Sequence, residues 1–416
     1  MTIRTAVDKW RWWIGGALVV IVAAVLGVVR SGGHDSAPVA DASPSLAPAP
    51  SPALPSSQPP SAPATPSSSP TAPADCVTAT LDAMTLSERV GQVLMIGTAV
   101  DAPSGLGDTV ARYHLGGVFL HGRSTQSKSR LTSGIDGLQK RSRVPLLISL
   151  DQEGGQVQTL KGPDFPRLPS ALKLGSQSTG TIRDTTADSA HRLAGIGVTI
   201  DLAPVADTVP AGLGEDNPPI GGFDRQFGSD PKKVATAIRT VVPASQEAGV
   251  LTVLKHFPGL GRVRANTDVS TRAVDSTTDA NDPYLQPFQA GIEAGSAGVM
   301  ISSASYPRLD PDHVAAFSST IITGLLRTKL GFKGLIMSDD LGAAVAVAGT
   351  PAGERAVRFV AAGGDLVLTI KPSDAAPMAS ALTSRAQSDA AFKKRLTDAA
   401  THVLQAKKRA GILSCG

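Results

Sequence analysis

The chain has 416 residues and an apolar fraction of 42%, more than one average domain and enough for a large buried core. Its formal charge of +4 contains no block of like charge, which excludes a nucleic-acid-binding surface. That charge is unevenly placed: residues 1–30 carry Arg4, Lys9, Arg11 and Arg30 against Asp8, residues 31–75 carry Asp35, Asp41 and Asp75 with no Lys or Arg, and the rest is mildly basic.

Residues 1–30 have the pattern of a cytoplasmic stub and membrane segment. Arg4, Lys9 and Arg11 precede Trp12-Trp13, and an apolar run over residues 14–29 ends at Arg30. The run sits at the lower edge of the ~20 residues that a spanning helix needs. The Trp pair suits an interface, and the basic flank favours a cytoplasmic N-terminus. A cleaved signal peptide is the other reading, although no A-x-A site follows. The expectation is a single-pass anchor with the rest of the chain outside the cytoplasm, or a secreted protein if the segment is removed. Residues 31–75 are rich in Pro, Ala and Ser and are expected to form a disordered linker. At ~3.1 Å per residue its Pro/Ala/Ser stretch, residues 36–74, would reach ~120 Å.

Residues 76–416 are expected to be one folded domain. Its only cysteines, Cys76 and Cys415, stand at its two borders. Outside the cytoplasm such a pair is expected to form a disulfide joining the ends of the domain. Between them lie eight short apolar runs, at 90–97, 115–121, 145–151, 198–205, 251–256, 298–303, 335–338 and 365–370, many separated by stretches of helix length. Continuous apolar runs suit parallel strands buried on both faces, and eight is the count of an α/β (β/α)8 TIM barrel. Thr85-Leu-Ser-Glu88 resembles a capping box. Ser229-Asp230-Pro231 opens a helix, and residues 319–330 form another, stopped by Gly331.

Polar residues gather where the runs end: Asp151 and Glu153, Asp207, Lys255-His256, and Ser338-Asp339-Asp340. Barrel enzymes carry their chemistry at the carboxyl ends of the strands, so several carboxylates there outweigh the reading of each as a cap or salt-bridge partner. The seven histidines form no cluster with metal-ligand spacing, so neither a metal nor an organic cofactor is expected.

These residues resemble the family 3 glycoside hydrolases, and within them the compact bacterial β-N-acetylhexosaminidases that act on peptidoglycan fragments. The resemblance covers nearly all of residues 81–370. It rests on Met84-Thr-Leu-Ser-Glu-Arg-Val-Gly-Gln-Val-Leu-Met95, Asp151-Gln-Glu-Gly-Gly155, Ala203-Pro-Val-Ala-Asp207, Asp224-Arg-Gln-Phe227, Lys255-His-Phe-Pro-Gly259 and Tyr306-Pro-Arg-Leu-Asp310. The most specific block is Leu325-Leu-Arg-Thr-Lys-Leu-Gly-Phe-Lys-Gly-Leu-Ile-Met-Ser-Asp-Asp-Leu-Gly342. The resemblance implies that Asp339 is the nucleophile of a retaining glycosidase, which needs an ionised carboxylate to form a glycosyl-enzyme. Asp340 is then free to bond to the backbone; the reverse assignment is the alternative. Asp151, Arg225, Lys255 and His256 fall on sugar-contacting positions, with a packed structural histidine as the plainer reading of His256.

Two departures qualify the resemblance. The family's hexosaminidases continue K-H-F-P-G-H-G and, after four residues, D-S-H, whose His is the acid/base and whose Asp orients it. Here the text runs Lys255-His-Phe-Pro-Gly-Leu-Gly261, Arg262-Val-Arg-Ala265, Asn266-Thr-Asp268. Asn266 falls on the Asp and Asp268 on the His. A carboxylic acid with a raised pKa is the usual glycosidase acid/base, so Asp268 is the candidate, with Asn266 to orient it; a loop cap is the alternative. Gln156 and Thr159 replace two arginines of D-x-E-G-G-R-V-x-R.

The reading is a retaining, exo-acting β-N-acetylhexosaminidase that removes terminal β-linked N-acetylglucosamine from cell-wall glycans and works as a monomer. A family 3 β-glucosidase or phosphorolytic relative is one alternative, and a catalytically weak glycan-binding wall protein is another.

Overall fold

A helix must satisfy its first N–H groups before it can carry a strand into a core. Thr85 does this for α2 (Leu86–Gln92): its side chain accepts the N–H of Glu88, while the Glu88 carboxylate accepts the N–H of Thr85 at 2.8 Å. The expected capping box is therefore formed. The apolar run that follows divides at residue 93. Val90–Gln92 finish the helix, and the first strand begins at Leu94, because both elements are buried there and hydrophobicity does not mark the boundary.

A computed structural model describes residues 75–414. α1 (Cys76–Asp82) and α2 precede a parallel barrel. Its strands are β1 (Leu94–Ala99), β2 (Gly117–His121), β3 (Leu147–Leu150), β4 (Ile200–Asp201), β5 (Leu251–Phe257), β6 (Gly298–Ile301), β7 (Leu335–Ser338) and β8 (Val367–Thr369). β2 to β7 each pair in parallel with the strand before it, and β8 pairs with β1. A bridge between Met337 and Leu366 closes the ring. All eight expected runs supply a strand. Met95, Phe119, Leu147, Ile200, Leu251, Val253, Met300, Met337 and Leu368 form one cluster, so inward side chains fill the barrel rather than leaving a pore.

Helices α3 (Gly107–Tyr113), α4 (Lys128–Gln139), α5 (Thr179–Ala194), α6 (Pro231–Glu247), α7 (Gln286–Glu293), α8 (Ala352–Ala362), α9 (Ala375–Ser388) and α10 (Ala390–Arg409) wrap the strands. Asp230 caps α6 by accepting the Lys232 N–H at 2.9 Å, with Pro231 in the first turn, as the sequence indicates. The helix expected over 319–330 is a π-helix, Thr320–Lys329, which ends before Gly331 at φ 68°.

The expected fold class needs a correction. The barrel is as predicted, but a membrane helix ahead of it is not part of the described fold, and no helix among the described residues is long and apolar enough to cross a membrane. The longest, α10, has 20 residues but carries Lys393, Lys394, Arg395, Lys407, Lys408 and Arg409. The segment 12–30, the Pro-rich linker to residue 74, and Cys415 lie outside the described residues.

Candidate active site

The site is assembled where the strands end. Beyond β3, Asp151 enters a tight hairpin in which Gln152–Gly154 pairs with Val157–Gln158. Glycine is required at Gly154: its φ is 96°, and a Cβ there would lie 2.2 Å from the Pro169 carbonyl oxygen. β4 runs on irregularly to Val205, which bridges Lys255, and delivers Asp207. β5 carries Lys255 and His256, and the loop after it carries Asp268. β7 ends one residue before Asp339.

Four charged groups interlock at the centre. Lys255, 2% exposed, donates to Asp151 Oδ1 at 2.5 Å and lies 2.7 Å from Glu153 Oε1. Arg225 grips Glu153 with two parallel hydrogen bonds, Nε to Oε2 at 2.8 Å and Nη2 to Oε1 at 2.7 Å. Burial pushes the Glu153 carboxyl up, but Arg225 and Lys255 outweigh it and hold the group at about 2. Burial pulls Lys255 down, and Asp151 with Glu153 reverse this and leave it above its ordinary value. Glu153 is thus held as a carboxylate against the Lys255 and Arg225 cations. A buried ion pair broken on one side costs several kcal/mol, on the order of 3–5, so each charge depends on its partners.

His256 is tied from the other side. Its Nδ1 is 2.7 Å from Asp207 Oδ2, its backbone N–H donates to Asp207, and the Leu260 N–H reaches the same carboxylate at 2.8 Å. Asp207 is fully buried. Arg225 Nη2 lies 3.4 Å from His256 Nε2, linking the two halves of the cluster.

Asp268 sits apart, on a loop open to solvent. Asn266 Oδ1 accepts the Asp268 N–H at 2.9 Å and so shapes the turn that presents the carboxyl. The walls of the cleft and then the Asp339 carboxylate raise the Asp268 carboxyl above its ordinary value, while Arg225, His256 and Asn266 oppose the shift. The Thr267 carbonyl accepts the Ala346 N–H at 3.1 Å, which joins this loop to the one after β7. Asp339 donates its N–H to the Ile301 carbonyl at 3.0 Å and accepts the Asp340 N–H on Oδ1 at 2.8 Å. Asp340 instead turns to the backbone, where one oxygen accepts the N–H groups of Gly342, Ala343 and Ile370.

The structure therefore brings Asp151, Arg225, Lys255 and His256 into one network and places Asp268 within the field of Asp339. The sequence places Glu153 and Asp207 among the polar residues at the run ends without giving either a specific role, yet they hold Arg225, Lys255 and His256. The available signal was that both carboxylates stand just beyond strand ends. Where arginines were expected, Gln156 is exposed and Thr159 is packed, its N–H donated to Asp151 O at 2.9 Å. Arg123 reaches this hairpin from the loop after β2, donating to the Gln156 carbonyl at 3.1 Å.

Comparison with known proteins agrees with this architecture. The model of the glycosyl hydrolase family 3 N terminal domain matches residues 85–406. A beta-hexosaminidase of Xanthomonas oryzae pv. oryzae is 34% identical over 284 residues, covering 66% of this chain and 82% of its own. One from Nitrosomonas eutropha is 35% identical over 276 residues, covering 63% and 75%. Among solved structures, the beta-N-acetylhexosaminidase of Beutenbergia cavernae superposes with a TM-score of 0.77 at 41% identity, covering 78% of this chain and 99% of its own.

Proposed function

The chain belongs to glycosyl hydrolase family 3 and is a glycosidase of the β-N-acetylhexosaminidase type that hydrolyses terminal β-linked N-acetylglucosamine; on that premise we propose that it takes this sugar from cell-wall-derived glycans with Asp339 as nucleophile and Asp268 as acid and base. In the first step the Asp339 carboxylate attacks the anomeric carbon, the bond from that carbon to the glycosidic oxygen breaks, and Asp268 gives its proton to the departing oxygen. In the second, Asp268 takes a proton from water, the water oxygen bonds to the anomeric carbon, and Asp339 is released, with net retention. The observation that carries this reading is the electrostatic pairing of the two carboxyls: the Asp339 charge helps keep the proton on Asp268. Once Asp339 becomes an ester that charge is gone, the Asp268 pKa falls, and the ionised carboxylate that the second step needs is favoured. Asp151, Arg225, Lys255 and His256 form the polar wall that receives the sugar hydroxyls. Incubation with a fluorinated N-acetylglucosamine donor, followed by peptide mass spectrometry, is expected to find the sugar on Asp339. A label on another residue overturns the assignment.

The same proposal places the domain outside the cytoplasm with a Cys76–Cys415 disulfide. Its support is the basic-then-apolar pattern of residues 1–30 and the cysteines at the two domain borders. Denatured, unreduced protein from the exported fraction of its host should resist thiol alkylation. Free alkylation of both cysteines argues against the pairing.

A further inference from the structure

Behind the polar wall stands a carboxyl with no part in the reaction described above. Asp201 ends β4. Its neighbours Ile200 and Leu202 point into the barrel, and Asp201 faces outward, lining a cavity of ≈ 60 Å³ between the wall and helices α5 and α6. The helices offer this cavity only hydroxyl and apolar side chains, among them Thr185, Thr186, Ser189 and Ser245. The charged groups that face Asp201 all come from the wall: Asp151 and Glu153 beyond β3, and Lys255 on β5.

One hydrogen bond gives the placement its meaning. The Gln152 N–H donates to Asp201 Oδ1 at 2.9 Å. Gln152 lies between Asp151 and Glu153, the two carboxylates that hold Lys255. Its side-chain amide bonds to Leu160 on both sides, donating to the carbonyl at 3.1 Å and accepting the N–H at 3.0 Å. The segment between the two carboxylates is thus pinned at its backbone by Asp201 and at its side chain by Leu160.

We propose that Asp201 is a positioning residue for the sugar subsite, holding the Asp151–Glu153 pair on Lys255 from behind, and that its protonation state sets how freely Lys255 can turn to the substrate. With Asp201 protonated, the two anions Asp151 and Glu153 are balanced by the two cations Lys255 and Arg225. An ionised Asp201 adds a third anion. It repels Asp151 and Glu153 across the shared backbone and draws Lys255 towards the wall, away from the sugar hydroxyls. Burial first, and the neighbouring Asp151 and Glu153 charges, push the Asp201 carboxyl up to about 7, against the pull of the Gln152 N–H and Lys255. The change between the two states therefore falls near neutral pH. The cavity is large enough to hold water beside Asp201.

The inference rests on the glycosidase reading, and the test separates the two. KM and kcat for a nitrophenyl N-acetyl-β-glucosaminide are measured from about pH 5 to about pH 9, alongside calorimetric binding of N-acetylglucosamine to the wild type in buffers of different ionisation enthalpy. The wild-type KM is expected to rise several-fold as pH passes about 7, and sugar binding above that pH to take up protons. Asp201→Asn keeps the acceptor oxygen without the charge, so its KM should stay low and flat across the range. Asp201→Ala loses the acceptor, so its KM should be raised at every pH. A wild-type KM with no such limb, sugar binding with no proton uptake, or a folded Asp201→Asn protein that keeps the wild-type limb overturns the role of Asp201. A missing limb or missing proton uptake in the wild type overturns the role even if neither variant folds. A wild type that neither binds the sugar nor turns over the aryl glycoside overturns the functional reading, and this inference with it.

Discussion

In the proposed mechanism Asp268 is the decisive residue, because it stands where the family's hexosaminidases carry a histidine. Its carboxyl is raised above its ordinary value by burial first and by Asp339 second, the direction that suits a proton donor. The consequences differ by step. Asp268→Ala should lose most activity on natural disaccharides, whose leaving oxygen needs a proton, by about 10²–10⁴-fold. A dinitrophenyl glycoside needs no such help, so its first step should survive while the slow second step lets the glycosyl-enzyme accumulate as a burst. Azide, which needs no base, should then restore turnover and yield a β-glycosyl azide. Equal loss on both substrates with no azide effect would make Asp268 structural. The sign of the pH dependence follows from the same group: hydrolysis of poor leaving groups should fall as pH rises and Asp268 gives up its proton, whereas the dinitrophenyl glycoside should not show that limb in its first step.

Elements, rather than single residues, decide where these groups stand. The capping box that starts α2 turns the chain directly into β1, so its worth can be read in stability alone. Thr85→Ala should cost about 1 kcal/mol in chemical denaturation and leave kcat and KM where they are; a change in KM would mean that α2 reaches the site. The eight apolar runs were legible because strands buried on both faces have no polar register to hide them. The points where they end were legible for the same reason, which is why Asp151, Lys255, His256 and Asp339 could be picked out from the sequence. The roles of Glu153, Asp207 and Asp201 could not. Glu153 acquires its function from Arg225, 72 residues on, and Lys255, and Asp207 from a histidine 49 residues away. Asp201 depends on a backbone N–H presented by the neighbouring strand's hairpin. Such partnerships exist only once the ring is closed, and spacing along the chain carries no trace of them. The end of α2 was misplaced because Val90–Gln92 are as buried in a helix as they would be in a strand.

At the scale of the whole molecule, the barrel has a seam. Between β7 and β8 a bridge at Met337 and Leu366 closes the ring, and Asp365 reinforces it. This fully buried carboxylate accepts the Ile336 N–H at 2.9 Å, and is gripped by Arg327, by Arg395 at 2.5 Å and by His402 Nδ1 at 2.8 Å. Burial pushes Asp365 up, but His402 and the arginines prevail and hold it below the usual carboxylate range. Its contribution to stability is therefore present above the ordinary carboxylate value and lost as pH falls through its depressed value in the fold. Asp365→Ala strands two arginines and should cost about 3–5 kcal/mol in denaturant unfolding. The Ser338 and Leu366 amides should then exchange with deuterium ahead of those in β2 and β3; uniform exchange around the ring would show that the seam is held by other contacts. Two of the three side chains that clamp Asp365 from outside, Arg395 and His402, belong to α10, the last helix of the described chain. During synthesis the proposed nucleophile at 339 leaves the ribosome well before them. A nascent chain that already contains both carboxyls of the proposed mechanism still lacks two of the three side chains that clamp Asp365, so truncation before residue 390 is expected to leave the ring unlatched beside Asp339 and the protein inactive.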